Sequence, residues 1–254
     1  MMRTIVESGL FFKRRMLATL RQPTWVFMGL ATPLLYLVLF TPLLHGLAPA
    51  TLSGSSVVNT FVPGMLGLLA LSSGTGIAWI IVDELNTGVV ERLSVSPASR
   101  LALLLGTMLR DVVTFIVPAG VVVAIAALFG FEIHLAGLLI LALLLALLTA
   151  TVSAACNSVG LIMKQVGSVA AVVTGLQLPL MLLGGVLLPI SLGPTWLQWL
   201  AHINPLYYVV EASRDLAAGS ILTGQVAVAF AVMVVLLFVA LLWGVRVYKK
   251  ALAS

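Results

Sequence analysis

AGLLILALLLALLTATVSAAC, residues 136–156, carries no charged side chain and lacks the strict alternation of a barrel strand. A helix of that length, rising 1.5 Å per residue, crosses the roughly 30 Å of hydrocarbon in a bilayer and satisfies its own backbone hydrogen bonds there. Comparable apolar runs fall at about 24–44, 59–82, 112–131, 169–189 and 224–246. With 61% hydrophobic and only 8% charged residues, the 254-residue chain has too little polar surface for a water-soluble domain. Its mean hydropathy of +1.21 agrees. The expected fold is an all-α membrane protein, one domain over 1–254 with six transmembrane helices.

Charge orients the spans. With the N-terminus cytoplasmic, Arg3, Lys13, Arg14, Arg15, Arg21, Arg92, Arg100, Arg110, Lys164, Arg246, Lys249 and Lys250 share one side, and of the 13 basic residues only Arg214 lies outside. That asymmetry predicts cytoplasmic N- and C-termini. Trp25, Trp79, Trp243 and Tyr248 then fall near the inner face and Trp196 and Trp199 near the outer one, where amphipathic rings anchor at the headgroups. The basic residues are spread over loops instead of gathered on one face, which argues against a nucleic-acid partner. No small-residue cleavage site follows a short apolar core, so no cleaved signal peptide is expected.

Two segments outside the spans are patterned. Residues 3–20 place Ile5, Val6, Leu10, Phe12, Met16, Leu17 and Leu20 among Arg3, Glu7, Lys13, Arg14 and Arg15 at helical spacing, before Pro23. This predicts an amphipathic helix lying along the inner membrane surface, either as an anchor or as a lever touching a cytosolic partner. Between the fifth and sixth spans, residues 190–223 are too apolar for a solvated loop and too interrupted, by Pro194 and Pro205, for one span. Two short helices dipping into the outer leaflet are expected, the second starting at Pro205 with Asn204 as its cap. Glu211 and Asp215 then flank Arg214 within one turn and can pair it.

The chemistry of other transporter and enzyme classes is sparse. An ion-coupled carrier needs a titratable group near the bilayer midplane, whereas Glu132, Asp111, Asp83 and Glu84 all fall at predicted helix ends. His45, His134 and His202 lack metal-ligand spacing, and no metal site is expected. Gly54-Ser55-Ser56 lacks the strand-turn-helix context of a nucleophile elbow, and no Gly-Lys dipeptide offers a phosphate loop. Cys156 reads as small packing material. On the fifth span, Thr174, Gln177 and Pro179 are the residues expected to face a substrate route, Gln177 above all, because lipid-facing glutamine is costly. Gly184 and Gly185 suit close helix packing.

The longest cytoplasmic stretch between spans is Asp83 to Arg100. From Asn86 on, Val89, Val90 and Leu93 beside Glu91 and Arg92 form a short amphipathic helix stopped by Pro97, or else a solvated loop with one helical turn. Here the chain resembles the type-2 ATP-binding-cassette permeases, exporters of drugs, antibiotics, lipid-linked polysaccharides and lipo-oligosaccharides. Glu84, Gly88, Glu91, Leu93 and Pro97 match that family's pattern, followed by Ala98-Ser99-Arg100. Phe61-Val62-Pro63-Gly64 and the run from Asn204 through Pro205, Tyr207 and Glu211 to Arg214 resemble two further signatures. One departure is that Asp83 and Leu85 stand where basic residues usually flank the Glu, which leaves the charge partner of Glu84 open.

The resemblance implies that residues 86–97 form a coupling helix docking in a separate ATP-binding-cassette ATPase subunit, present in two copies. Glu84, Glu91 and Arg92 would supply polar contacts near the joint. ATP and Mg would sit on that partner, with no cofactor and no catalysis on this chain. It further implies a second, identical permease chain and residence in the cytoplasmic membrane of a prokaryote. A pathway without mid-span charge suits amphipathic drug-like or lipid-linked substrates. Two rivals are a membrane enzyme acting on lipid, for which Asn157, Lys164 and Gln165 are the available polar group, and a non-transporting scaffold or channel subunit.

Overall fold

The computed structural model describes residues 2–20, 57–89, 99–186 and 190–251, together with 31, 34–36, 38 and 39. Helix α1 is Met2–Leu20. Val57–Thr75 (α2) and Ile77–Asn86 (α3) meet at Gly76 and together make one apolar path, followed by α4 (Arg100–Leu128), α5 (Leu135–Met163) and α6 (Val166–Leu183). A single 3-10 turn at Ile190–Leu192 leads to the short helices α7 (Thr195–Ala201) and α8 (Pro205–Ala217), and α9 (Gly224–Ala251) ends the described chain. Among the described residues there is no strand.

Five of these helical paths, Val58–Asn86, Arg100–Leu128, Leu135–Met163, Val166–Leu183 and Gly224–Lys250, are long and apolar enough to cross a membrane. The first expected span, 24–44, lies almost wholly outside the described residues; of the few described there, Leu34 and Tyr36 pack against the larger apolar cluster. Helix α5 is the hub, contacting α2, α3, α4, α6, α8 and α9. Its buried positions are mostly small, including Gly137, Thr149, Ala150, Ser153, Ala154, Ser158 and Gly160. In lipid the solvent is as apolar as the helices, so close backbone approach through small side chains, not hydrophobic burial, holds such a bundle together. Thr149 adds a bond between helices, its hydroxyl donating to the Ala70 carbonyl at 3.2 Å.

The structure moves several span boundaries, two of which bear on the site. The third was expected at 112–131, but α4 begins at Arg100, where the Ser99 hydroxyl accepts from the Ala102 amide at 3.1 Å. Arg100, Arg110 and Asp111 depress local hydropathy, which is why the apolar pattern starts late. Asp111, expected at a helix end, is therefore fully buried, roughly 16 Å along the helix from Arg100. The fifth span, expected to reach 189, ends at Leu183, and Gly185 follows with φ +65°.

Candidate functional site

At one end of the bundle α1 lies against α4. A Cβ on Gly106 of α4 would stand 2.8 Å from the Phe11 Cβ and 3.0 Å from the Ser8 carbonyl oxygen, so the glycine is what lets the two helices meet. The opposite side of α1 exposes Leu10, Leu17 and Leu20 beside Lys13 and Arg14, the division expected of a helix in a membrane surface.

Two polar contacts join α1 to the chain on either side of the candidate coupling segment. Arg15 Nη2 donates to Glu84 Oε2 at 2.5 Å, with side-chain exposures of only 11% and 16%. This is the charge partner that the sequence around Glu84 lacks, and it comes from 69 residues away. On the far side, the Ser99 amide donates to Glu7 Oε2 at 3.0 Å. One helix thus holds the last turn of α3 and the first residue before α4. Between these points the chain leaves α3 through a turn, Thr87 N–H donating to Asp83 O at 2.9 Å and Gly88 N–H to Leu85 O at 3.2 Å. Gly88 takes φ +69°, a left-handed conformation that costs a residue with a Cβ roughly 1–2 kcal/mol, which accounts for glycine at that motif position. Val89 is helical again; Glu91, Arg92, Leu93 and Pro97 lie outside the described residues.

At the opposite end, α7 and α8 form the expected pair of short helices. Asn204 caps α8, its Oδ1 accepting from the Leu206 amide at 3.0 Å, and Pro205 occupies the first turn. The same side chain donates from Nδ2 to the Leu180 carbonyl of α6 at 2.7 Å. Arg214 ion-pairs with Glu211, donates from Nη2 to the Gly185 carbonyl at 2.6 Å, and from Nε to the Thr60 carbonyl at 3.3 Å. One guanidinium therefore ties α8 to the start of α2 and the end of α6. Burial pulls Arg214 below the usual guanidinium range, and the Glu211 carboxylate opposes that shift. Asp215, offered as a second partner for Arg214, instead accepts from the Thr223 hydroxyl at 2.7 Å.

Tyr207 stacks near His202 and Tyr208, with ring centroids 5.0 and 5.5 Å away. Its hydroxyl is pushed up first by desolvation and then by Glu211. With Gln225 and Val228 these residues line a cavity of about 390 Å³. Trp196, Trp199 and Ile203 are 66%, 77% and 80% exposed, so this end presents aromatic and aliphatic surface. His45 lies outside the described residues, and the two described histidines are separately engaged: His134 Nδ1 meets the Ala217 carbonyl at 3.1 Å and His202 Nδ1 the Gln198 carbonyl at 2.6 Å.

Thr174 and Pro179 of α6 are exposed along with Leu176, Leu178 and Leu182, while Gln177 turns toward α2, its Nε2 donating weakly to Ser72 Oγ at 3.4 Å. The three route residues thus do not share one environment. The Asn157, Lys164 and Gln165 group is not assembled either, since Asn157 is fully buried and Lys164 and Gln165 are exposed beyond the end of α5. Sequence reasoning missed Arg15, Ser99, Arg110 and Ser153 as partners; only the basic face of α1 hinted at the first.

Such a bundle, with α1 clasped to one end and a helical pair tied across the other, is a polytopic membrane protein in class. The chain belongs to the ABC-2 type transporter family, whose sequence pattern matches residues 8–218. It is accordingly a membrane permease subunit of an ABC transporter. It is 26% identical over 220 residues to a transport permease ycf38 of Cyanophora paradoxa, covering 85% of this chain and 76% of that one. It is 24% identical over 214 residues to the daunorubicin resistance ABC transporter permease protein DrrB1 of Streptomyces coeruleorubidus, covering 82% and 73%. A shorter likeness, 26% over 167 residues, covers 64% of this chain and 22% of ABC transporter G family member 20 of Dictyostelium discoideum.

Proposed function

We propose that this permease is the membrane half of an ATP-driven exporter of amphipathic drug-like or lipid-linked compounds, powered by a separate ATP-binding-cassette ATPase in the cytosol. The carrying observation is the double attachment of α1, Arg15 to Glu84 and Glu7 to Ser99, on both sides of residues 87–98. A cytosolic loop with no mechanical role has no need of such a frame. In this reading Glu84 and Gly88 root the coupling element, Glu91, Arg92, Leu93 and Pro97 form the surface received by the ATPase, and α1 moves with them.

The exposed face of α6, with Thr174 and Pro179, meets a second, identical permease chain, and Gln177 stands beside the route between them. The outer pair, held by Asn204, Pro205 and Arg214 with Tyr207 and Glu211 on its surface, dips into the outer leaflet and closes that route. Both termini are cytoplasmic, in the cytoplasmic membrane of a prokaryote, and ATP with Mg is bound by the two partner ATPases. The relative named for daunorubicin resistance supports a drug-like substrate, and the lipid-linked saccharide exporters remain the second substrate class on the strength of the shared motifs alone.

The test uses inside-out vesicles containing the chain and its genomic-neighbour ATPase. ATP-dependent uptake of daunorubicin or of a fluorescent lipid, lost on deleting residues 86–97 while the permease dimer survives, is the expected result. Uphill uptake with no nucleotide-hydrolysing partner, or normal uptake by the deletion, overturns the proposal.

A further inference from the structure

We infer that an unbroken file of polar contacts, half-buried at the coupling segment and fully buried at its far end, carries motion from that segment into the centre of α5, with Asp111 as its positioning residue. This rests on the coupling role proposed above. Glu84 at the end of α3 accepts from Arg15 Nη2 at 2.5 Å, and the Arg15 carbonyl accepts from the Thr19 hydroxyl at 3.0 Å. Thr19 Oγ1 accepts in turn from Arg110 Nε at 3.0 Å. Arg110 ion-pairs with Asp111, whose Oδ2 accepts from the Ser153 hydroxyl at 2.5 Å. The file runs α3, α1, α4, α5, and ends on the helix that touches six others. Asp111 and Ser153 are both completely shielded.

Stability is a poor account of this arrangement. A carboxylate buried among lipid-spanning helices loses its hydration, and a buried ion pair is often matched or bettered by apolar side chains of the same volume. What directional bonds supply and apolar packing does not is a fixed register: sliding α1 by one residue breaks the Arg15–Glu84 and Arg110–Thr19 contacts at once. One group at the same junction is unsatisfied. Arg15 Nη1 is buried with no hydrogen-bond partner among the described residues, and Tyr248 of α9 stands beside Asn157, Arg15 and Glu84. Buried groups left unpaired favour a second arrangement that pairs them, and a two-state element of that kind is what coupling requires.

Cys156 is the only cysteine of the chain and sits one turn beyond Ser153, half-buried, so its modification reports on α5 without an introduced cysteine. The experiment measures N-ethylmaleimide modification of Cys156 by mass spectrometry in the complete permease–ATPase complex, with and without trapped ATP-Mg. Daunorubicin or fluorescent-lipid uptake per ATP hydrolysed is measured in parallel. Trapping changes the wild-type modification rate; in Asp111→Asn, Thr19→Val and Ser153→Ala that change and the uptake-to-hydrolysis ratio both fall at least about fivefold while the complex still copurifies.

A Glu84→Gln and Ser153→Ala cycle, joining residues that do not touch, is non-additive in that ratio. If Asp111→Asn fails to accumulate, the two milder variants decide. Wild-type responses in both, or an additive cycle, overturn the relay. A wild type whose ATPase neither couples to uptake nor alters Cys156 overturns the proposed function instead, and the relay with it.

Discussion

Replacing Arg15 with Gln removes one partner of a nearly dry ion pair and leaves Glu84 facing protein. Breaking a fully buried pair costs about 3–5 kcal/mol, and exposed pairs contribute under about 1 kcal/mol. With side-chain exposures of 11% and 16%, the Arg15–Glu84 pair lies nearer the buried limit, so about 2 kcal/mol is expected after allowing for water at the membrane surface. That corresponds to about a 30-fold rise in the population with α1 detached.

The Glu7–Ser99 contact and the packing of Phe11 on α4 remain, so the helix loosens without leaving. Hydrogen exchange of the α1 amides in the purified complex reads the change directly, and export per ATP hydrolysed reads its consequence. Arg15→Gln and Glu84→Gln are expected to speed α1 exchange similarly, with the double variant little worse than either, because each breaks the same bond. The reversed pair, Arg15→Glu with Glu84→Arg, is expected to recover part of the loss. Exchange within twofold of wild type in both single variants, or fully additive effects, would refute the clasp.

Gly106→Val is expected to lift α1 from α4, since even a Cβ would stand 2.8 Å from Phe11 Cβ; a loss of about 1–3 kcal/mol should appear as faster α1 exchange with the spans unchanged. Arg214→Lys is expected to lower the thermal midpoint of the purified chain nearly as much as Arg214→Gln, because one ammonium cannot reproduce the forked contacts to Glu211, Gly185 and Thr60. A Lys variant as stable as wild type would contradict that geometry. Asn204→Ala removes both the α8 cap and the bond to Leu180, and a destabilisation of about 2 kcal/mol is expected in the same assay, against about 1 kcal/mol for a cap alone.

Hydropathy made the membrane class of this protein and the order of its described helices legible, because the transfer of an apolar run into lipid is a local energy summed along the chain. The same locality made the Asn204 cap, the Pro205 start and the pairing of Glu211 with Arg214 legible, each spanning no more than one turn. It also misplaced the start of α4, since Arg110 and Asp111 count against a span when read singly but neutralise one another when paired. Tertiary structure alone decided that Glu84 finds Arg15, that Ser99 finds Glu7, and that Ser153 reaches Asp111 across 42 residues. Those partners depend on which helix faces meet, and the packing of small side chains around α5 sets the faces without leaving a periodic mark in the sequence.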